Sequence, residues 1–190
     1  STVFGLFPAS KELKLALPKM AASNRHLAAL PWRDLPGFMA QLSAREGMSA
    51  RCLEFIILTA ARSGEARGAR WSEIDFEGMA WNVPAERMKR GVPHRVPLSP
   101  EAIALLGQVR GLDPVFLFPS PQRARDGSGK AMSDMAFKLL FGRMGVDGFT
   151  THGFRSTFRD WCSESAHADP ELAEAALSHA TGNAVTRAYA

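Results

Sequence analysis

The chain has 190 residues, 46% of them apolar, which is enough to bury one core and points to one domain with at most a short appendage. A formal charge of +4 and a pI near 9.4 favour anionic partners, nucleic acid first among them. The longest apolar run, Phe55–Ala61, is too short to span a membrane, and Cys52 and Cys162, with no CxxC pair and no secretory leader, read as buried free thiols of a reducing compartment.

Ser1 to Pro31 has weak periodicity and scattered prolines and reads as a linker or arm; a start at serine suggests a processed chain or an excised piece of a longer one. Asp34 then caps a predicted helix to about Glu46. Ser49 opens a second helix, SARCLEFIILTAAR, apolar nearly all round and therefore central. A short helix follows over Glu65–Arg70. The period then changes: Ile74–Phe76, Ala80–Pro84 and His94–Leu98 read as short strands, with turns at Glu77-Gly78 and Arg90-Gly91. Ser99-Pro100-Glu101 starts another helix with proline at its first position. Val115–Phe118 reads as a buried strand, and Pro119–Lys130 as a polar, basic, mobile loop. Ser133 caps a helix to about Met144, and helices from Gly153, Pro170 and Asn183 close the chain. The fold class expected is mainly α with a small antiparallel β-sheet.

Five features carry chemistry, and each has a plainer reading. In THGFRSTFRDW, residues 151–161, a helix places His152, Arg155 and Arg159 in one sector and Phe154, Phe158 and Trp161 opposite. The aromatic side suits a core. His152 and Arg155 fall in the first turn, where outward N–H groups and the dipole favour an anion, although a solvated helix face would look the same. Arg62 follows the apolar helix directly and must be paired or serve a site; Glu65, three residues on, can pair with it or orient it. Lys89 and Arg90 lie at the tip of a hairpin, with His94 and Arg95 returning on its second strand; a charged sheet edge is the plainer account. His179 ends the helix from Pro170, where a histidine is commonly a cap or a core residue. Tyr189 is the only tyrosine beside 12 phenylalanines, by need or by chance.

Taken together these segments resemble the tyrosine recombinases, or phage-type integrases, and most closely the P4-like group of prophages and genomic islands. Thr59–Glu65 (TAARSGE) with Ala69–Phe76 is similar to the family's first-arginine box, and Glu86–Ser99 to its lysine hairpin. His152–Trp161 resembles its H-x-x-R box, Leu177–His179 its second-histidine box and Arg187–Tyr189 its nucleophile segment. The order matches over about residues 25–190. The resemblance departs in three ways: the usual N-terminal DNA-binding domains do not precede this region, the sequence ends one residue after Tyr189, and Ala190 stands where a polar residue is usual. The domain reading is then 1–31 as an arm and 32–190 as the integrase catalytic domain.

The resemblance implies the catalytic-domain fold of that family and transesterification of a DNA phosphodiester. Tyr189 attacks phosphorus, a 3′-phosphotyrosyl bond forms, and a 5′-hydroxyl leaves and later returns from a second strand. The covalent link retains the bond energy, so no cofactor is expected. The residue types suit the task. A free tyrosine is only about 0.1% ionised at pH 7, so a base is needed, and His152 is the candidate. Arg62 and Arg155 would hold the phosphorane oxygens, with His179 as a further donor. Lys89 would protonate the leaving oxygen. The histidines lack HxxH or HxH spacing, which disfavours a metal site. Arg87, Arg90, Arg95, Arg123, Arg125 and Lys130 are candidates for DNA contact, and Arg159 for a backbone contact or a structural role. The partners implied are double-stranded attachment sites and, in a full-length protein, a tetramer on DNA; residues 1–190 alone are expected to be monomeric and to have no membrane contact. The place of action is the bacterial cytoplasm, on the chromosome. Competing readings are a type IB topoisomerase, a non-catalytic DNA-binding module and a metal-dependent phosphodiesterase, separable by supercoil relaxation, by loss of the covalent adduct and by sensitivity to EDTA.

Overall fold

The computed structural model describes residues 29–178. The arm before residue 29, the helix expected from Asn183, and both His179 and Tyr189 lie outside the described residues. Seven helices and one three-stranded sheet are described. Helix α1 is Leu35–Ser43, α2 Met48–Thr59 and α3 Ser63–Arg67. The sheet comprises β1 (Ile74–Asp75), β2 (Ala80–Val83) and β3 (His94–Pro97), antiparallel in that order. Helices α4 (Pro100–Val109), α5 (Met135–Met144), α6 (Gly153–Glu164) and α7 (Pro170–Ala176) follow. The architecture is the mainly helical one with a small sheet that the sequence predicts.

Helix α2 is the hub, as its all-round apolar character predicts. It packs against α1, α3, α4 and α5, and Cys52, Leu53, Phe55 and Ile56 are essentially inaccessible. The Phe55 ring lies 5.2 Å from Trp81 on β2 and 5.4 Å from Phe118, joining helix, sheet and the segment after α4. Glu54 is buried on the same helix and is neutralised by Arg51 at 2.9 Å and by the Ser43 hydroxyl, which donates to it. Both cysteines are buried free thiols, and burial pushes both thiols up.

Local chemistry shifts several predicted boundaries. The first helix stops at Ser43 rather than Glu46, and Asp34 makes no side-chain cap. Gly47, at φ 101°, turns the chain so that α2 already starts at Met48. By contrast, Ser99 caps α4 as predicted, its Oγ accepting the Ala102 amide at 3.2 Å. Val115–Phe118 is not a strand. The Asp113 carboxylate accepts the amides of both Val115 and Phe116 at 2.9 Å, which curls the backbone and leaves one bridge, Arg70 to Phe116. The basic segment 119–130 is a turn with its own hydrogen bonds: a Pro119–Ala131 bridge closes its base, and Ala124 donates to Ser128 at 3.0 Å.

Helix α6 differs most from its predicted orientation. Phe154 is buried against Phe38 and Phe149, as expected, but Trp161 is 42% exposed, its ring tilted against Phe158 at 6.2 Å. The buried side instead includes Arg155, Thr157 and Cys162. The helix is gripped from two directions. The α1–Phe149 cluster takes Phe154, while the entering chain runs along the helix, the Thr157 hydroxyl donating to the Leu30 carbonyl at 2.6 Å and Trp32 and Arg33 donating to Glu164. Leu53→Ala should therefore lower stability by roughly 2–5 kcal/mol, whereas Trp161→Ala should change it by about 0.5 kcal/mol or less; denaturant midpoints of the two variants check both.

Candidate active site

The site begins where α2 ends. Ala60 closes the helix in the left-handed region, φ 50°, a conformation that costs a residue with a Cβ and turns the chain sharply. Two residues later Arg62 is extended and caps α3. Glu65, in the first turn of α3, accepts the Arg62 amide at 3.2 Å and the guanidinium at 2.9 Å. The other terminal nitrogen of Arg62 donates to the Ser178 carbonyl at 3.2 Å. Arg62 is thus ion-paired, as the plainer reading has it, and the pairing fixes where it points.

Arg155 stands in the first turn of α6, 5% exposed. One terminal nitrogen donates to the Ala60 carbonyl and the other to the Leu177 carbonyl. Burial, with the charge of Arg62 beside it, pushes its pKa down to about 10, against the pull of Glu65 and Glu174. Two guanidinium groups far apart in sequence are therefore held side by side. A charged group in such a place is costly, and an anion between the pair would relieve the repulsion. The segment that follows α7 supplies the Leu177 and Ser178 carbonyls to both arginines.

His152 precedes α6 and is exposed. His152 is the N-cap residue but makes no side-chain cap bond; the Thr150 hydroxyl accepts the Gly153 amide at 3.1 Å instead. His152 and Ser63, the neighbour of Arg62, line one groove together with Thr150, Thr151 and the α5 residues Lys138 and Phe141. Lys89 is exposed in the connection between β2 and β3, and among the described residues it makes no hydrogen bond or ion pair. The structure therefore brings Arg62 and Arg155 together, puts His152 on an adjoining groove, and leaves Lys89 at the hairpin tip. His179 and Tyr189 come after Ser178 in sequence and lie outside the described residues.

The other basic candidates divide. Arg90, Arg95, Arg123, Arg125 and Lys130 are exposed. Arg87 is drawn inward instead. Its guanidinium pairs with the buried carboxylate of Glu73 and donates to the Glu65 carbonyl, because the short turn Ala85–Arg87 directs it back under α3. Arg159 pairs with Glu174 of α7 at 3.4 Å.

Sequence reasoning left His94 without a role. It is half-buried at the start of β3, and the charges of Glu65, Arg62 and Arg155 and the carbonyl of Ala176 all act on it. The alternation was the available signal: Val96 and Leu98 are buried and Arg95 and Pro97 exposed, so His94 belongs to the inward face.

The fold has counterparts among solved structures. XerH site-specific recombinase bound to palindromic difH substrate superposes with a TM-score of 0.64 at 21% identity, covering 85% of this chain and 48% of that one. A lambda integrase tetramer bound to a Holliday junction gives 0.59 at 17% identity, covering 82% and 48%. This is the catalytic-domain fold of the tyrosine recombinases. Residues 33–190 match the phage integrase family, and the chain belongs to that family. The integrase of Enterobacteria phage P4 is 36% identical over 184 residues, an alignment that takes in 87% of this chain and 41% of that protein. The chain thus spans less than half the length of that relative.

Burial, then the two arginines, hold the His94 pKa below its ordinary 6.5, outweighing Ala176 and Glu65. The unfolded chain therefore binds a proton at this position more readily than the folded one, so this histidine's contribution makes stability fall as pH drops through about 6.5. His94→Asn should show a shallower loss of denaturant midpoint between about pH 7 and pH 5 than the parent chain; an equally steep loss in both would assign the dependence to other groups.

Proposed function

We propose that this chain is the catalytic part of an integrase that recombines DNA at specific sites, integrating or excising a prophage or genomic island. The observation that carries the reading is the Arg62–Arg155 pair, two guanidinium groups fixed by main-chain carbonyls and by Glu65 where a single phosphate can lie between them. Family membership and the likeness to recombinases solved on DNA support it.

In the proposed reaction the Tyr189 oxygen attacks the scissile phosphorus while its proton passes to His152. The bond from phosphorus to the 5′-oxygen breaks, and Lys89 protonates that oxygen as it leaves. Arg62 and Arg155, with His179, neutralise the charge that builds on the non-bridging oxygens. The 5′-hydroxyl of a partner strand then reverses these transfers: phosphorus bonds to the new oxygen, the tyrosyl bond breaks, and Tyr189 recovers its proton. No redox change occurs and no external energy source enters. The full-length protein would act as a tetramer on paired attachment sites in the bacterial cytoplasm; residues 1–190 alone, without DNA, are expected to run as a monomer in light scattering. Among the described residues no helix is long and apolar enough to cross a membrane.

Full-length protein incubated with DNA nicked near the cleavage position should form a covalent adduct visible on a denaturing gel. Tyr189→Phe should abolish it with DNA affinity nearly unchanged, and an adduct that persists would overturn the assignment. Arg155→Ala should reduce adduct formation by on the order of 10²-fold or more, the scale of losing one preorganised donor to a developing oxyanion.

For binding, the exposed residues Arg90, Arg95, Arg123, Arg125 and Lys130 would contact phosphates. Neutralising Arg125 and Lys130 together should reduce the slope of log affinity against log salt by roughly two. Arg87→Ala should leave that slope unchanged while costing on the order of 3 kcal/mol in stability, because it strands the buried Glu73 carboxylate.

A further inference from the structure

We propose that Asp113 and Gly129 form a seat that aims the basic segment 119–130 at DNA, which makes them positioning residues for phosphate contact by Arg125 and Lys130. The inference rests on the reading of these exposed cations as DNA contacts.

Asp113 lies in the turn after α4 and is only 4% exposed. It is held at three points. The Trp71 indole donates to its main-chain carbonyl at 3.0 Å, and its Oδ1 accepts the Val115 and Phe116 amides, both at 2.9 Å. The segment that carries it is tied to the chain before the sheet: the Trp71 amide donates to the Val115 carbonyl and the Leu117 amide to the Ala69 carbonyl, each at 3.0 Å. The carboxylate is thus a fixed part of the domain body. Its second oxygen, Oδ2, is buried and has no hydrogen-bond partner among the described residues. A buried acceptor without a donor is costly, and this one is turned toward Gly129 on the returning limb of the basic segment.

A Cβ placed on Gly129 would meet Oδ2 first, and would lie 2.8 Å from the Asp113 Cγ and 2.9 Å from its Oδ1. Gly129 is not among the residues with positive φ, so its backbone would accept alanine. What excludes a side chain there is the carboxylate, on which the glycine backbone rests directly.

The segment holds its own shape. Pro119 bridges to Ala131, the Ser120 amide donates to the Lys130 carbonyl at 2.7 Å, and the Arg123 guanidinium folds back on the Gly127 carbonyl at 3.3 Å. Its base is fixed by buried Phe118 and Met132 and by Arg67, which donates to the Met132 carbonyl at 2.8 Å. Bonds of this kind define an arm but leave its tilt against the domain open. Gly129 lies one step beyond the Ser120–Lys130 bond, where the arm leaves the domain, and its contact with Asp113 sets the tilt. A Cβ there needs roughly 1 Å more room to reach an ordinary carbon contact. The carboxylate cannot retreat without giving up the two amides on Oδ1, so the arm moves, and the displacement grows toward Arg125. Cations that lose their preset direction have to be ordered when DNA binds, at about 3- to 10-fold in affinity for each side chain.

The test is binding of full-length protein to a fluorescent DNA duplex of arbitrary sequence, read by anisotropy over a range of salt concentrations. Gly129→Ala should bind about 3- to 10-fold more weakly, and the slope of log affinity against log salt should fall by roughly one. In the Arg125→Ala/Lys130→Ala background the same substitution should change neither value, because the contacts it acts through are gone. Parent-like affinity and slope in Gly129→Ala, with a lowered slope in Arg125→Ala/Lys130→Ala, would overturn the seat and leave the phosphate reading standing. An equal loss in both backgrounds would place the effect outside these cations and overturn the seat as well. An unchanged slope in Arg125→Ala/Lys130→Ala would overturn the phosphate reading, and this proposal with it. Should Gly129→Ala fail to fold by circular dichroism, Asp113→Ser decides. Its shorter side chain can still accept a backbone amide but leaves Gly129 unsupported. A lowered slope that disappears in the background lacking both cations supports the seat, and a parent-like slope overturns it.

Discussion

The structure depends on one buried cation. The Arg155 guanidinium joins the carbonyl of Ala60, where α2 ends, to that of Leu177, where α7 ends, while its own backbone belongs to α6. Ala60 lies 95 residues away in sequence and Leu177 22, so a single side chain sets the relation of three helices. A charge in that position is tolerable only because both carbonyls point at it and because Glu65 and Glu174 lie near. Remove it and three helix ends lose their common reference, with the arginine site dispersing along with them.

The same arrangement fixes the second arginine of the site. Arg62 cannot swing freely, since Glu65 grips one nitrogen and Ser178 another. Donors fixed in advance need not reorganise as charge develops, which is where electrostatic stabilisation is largest. Burial first, and then the neighbouring charge of Arg62, act against the Arg155 cation in the folded state. Preorganisation and destabilisation are here one property: the contacts that hold the cations in place also keep them close.

Much of this was legible in the sequence, and the exceptions have physical causes. An all-round apolar run can only be central, so α2 was identifiable as the hub. The alternation of β2 and β3 was equally clear, and so was the pairing of Arg62 with Glu65, which needs only helical spacing. The orientation of α6 was not. A helical wheel divides residues by type and sets Arg155 opposite the aromatics, but it cannot show that main-chain carbonyls from two other helices converge on that arginine and bury it. Trp161 failed for the complementary reason: being aromatic does not place a residue where a partner exists. Arg87 read as a surface cation because its partner Glu73 lies 14 residues back and across a turn. Backbone acceptors and long-range pairings leave no mark in residue type, and they account for most of what the sequence concealed.

The acceptors that fix the two arginines belong to the main chain, and this determines which changes the site can absorb. A carbonyl is the same whichever side chain accompanies it, so as acceptors positions 60, 177 and 178 do not depend on residue type, although the Leu177 and Ala60 side chains are themselves buried. They are not indifferent to backbone conformation: Ala60 and Ser178 both lie in the left-handed region, each at φ 50°. Glycine or asparagine can occupy either position at little cost, whereas valine, isoleucine or proline would turn the carbonyl away. Divergence at these two positions is thus filtered by dihedral angle rather than by what the side chain can bond.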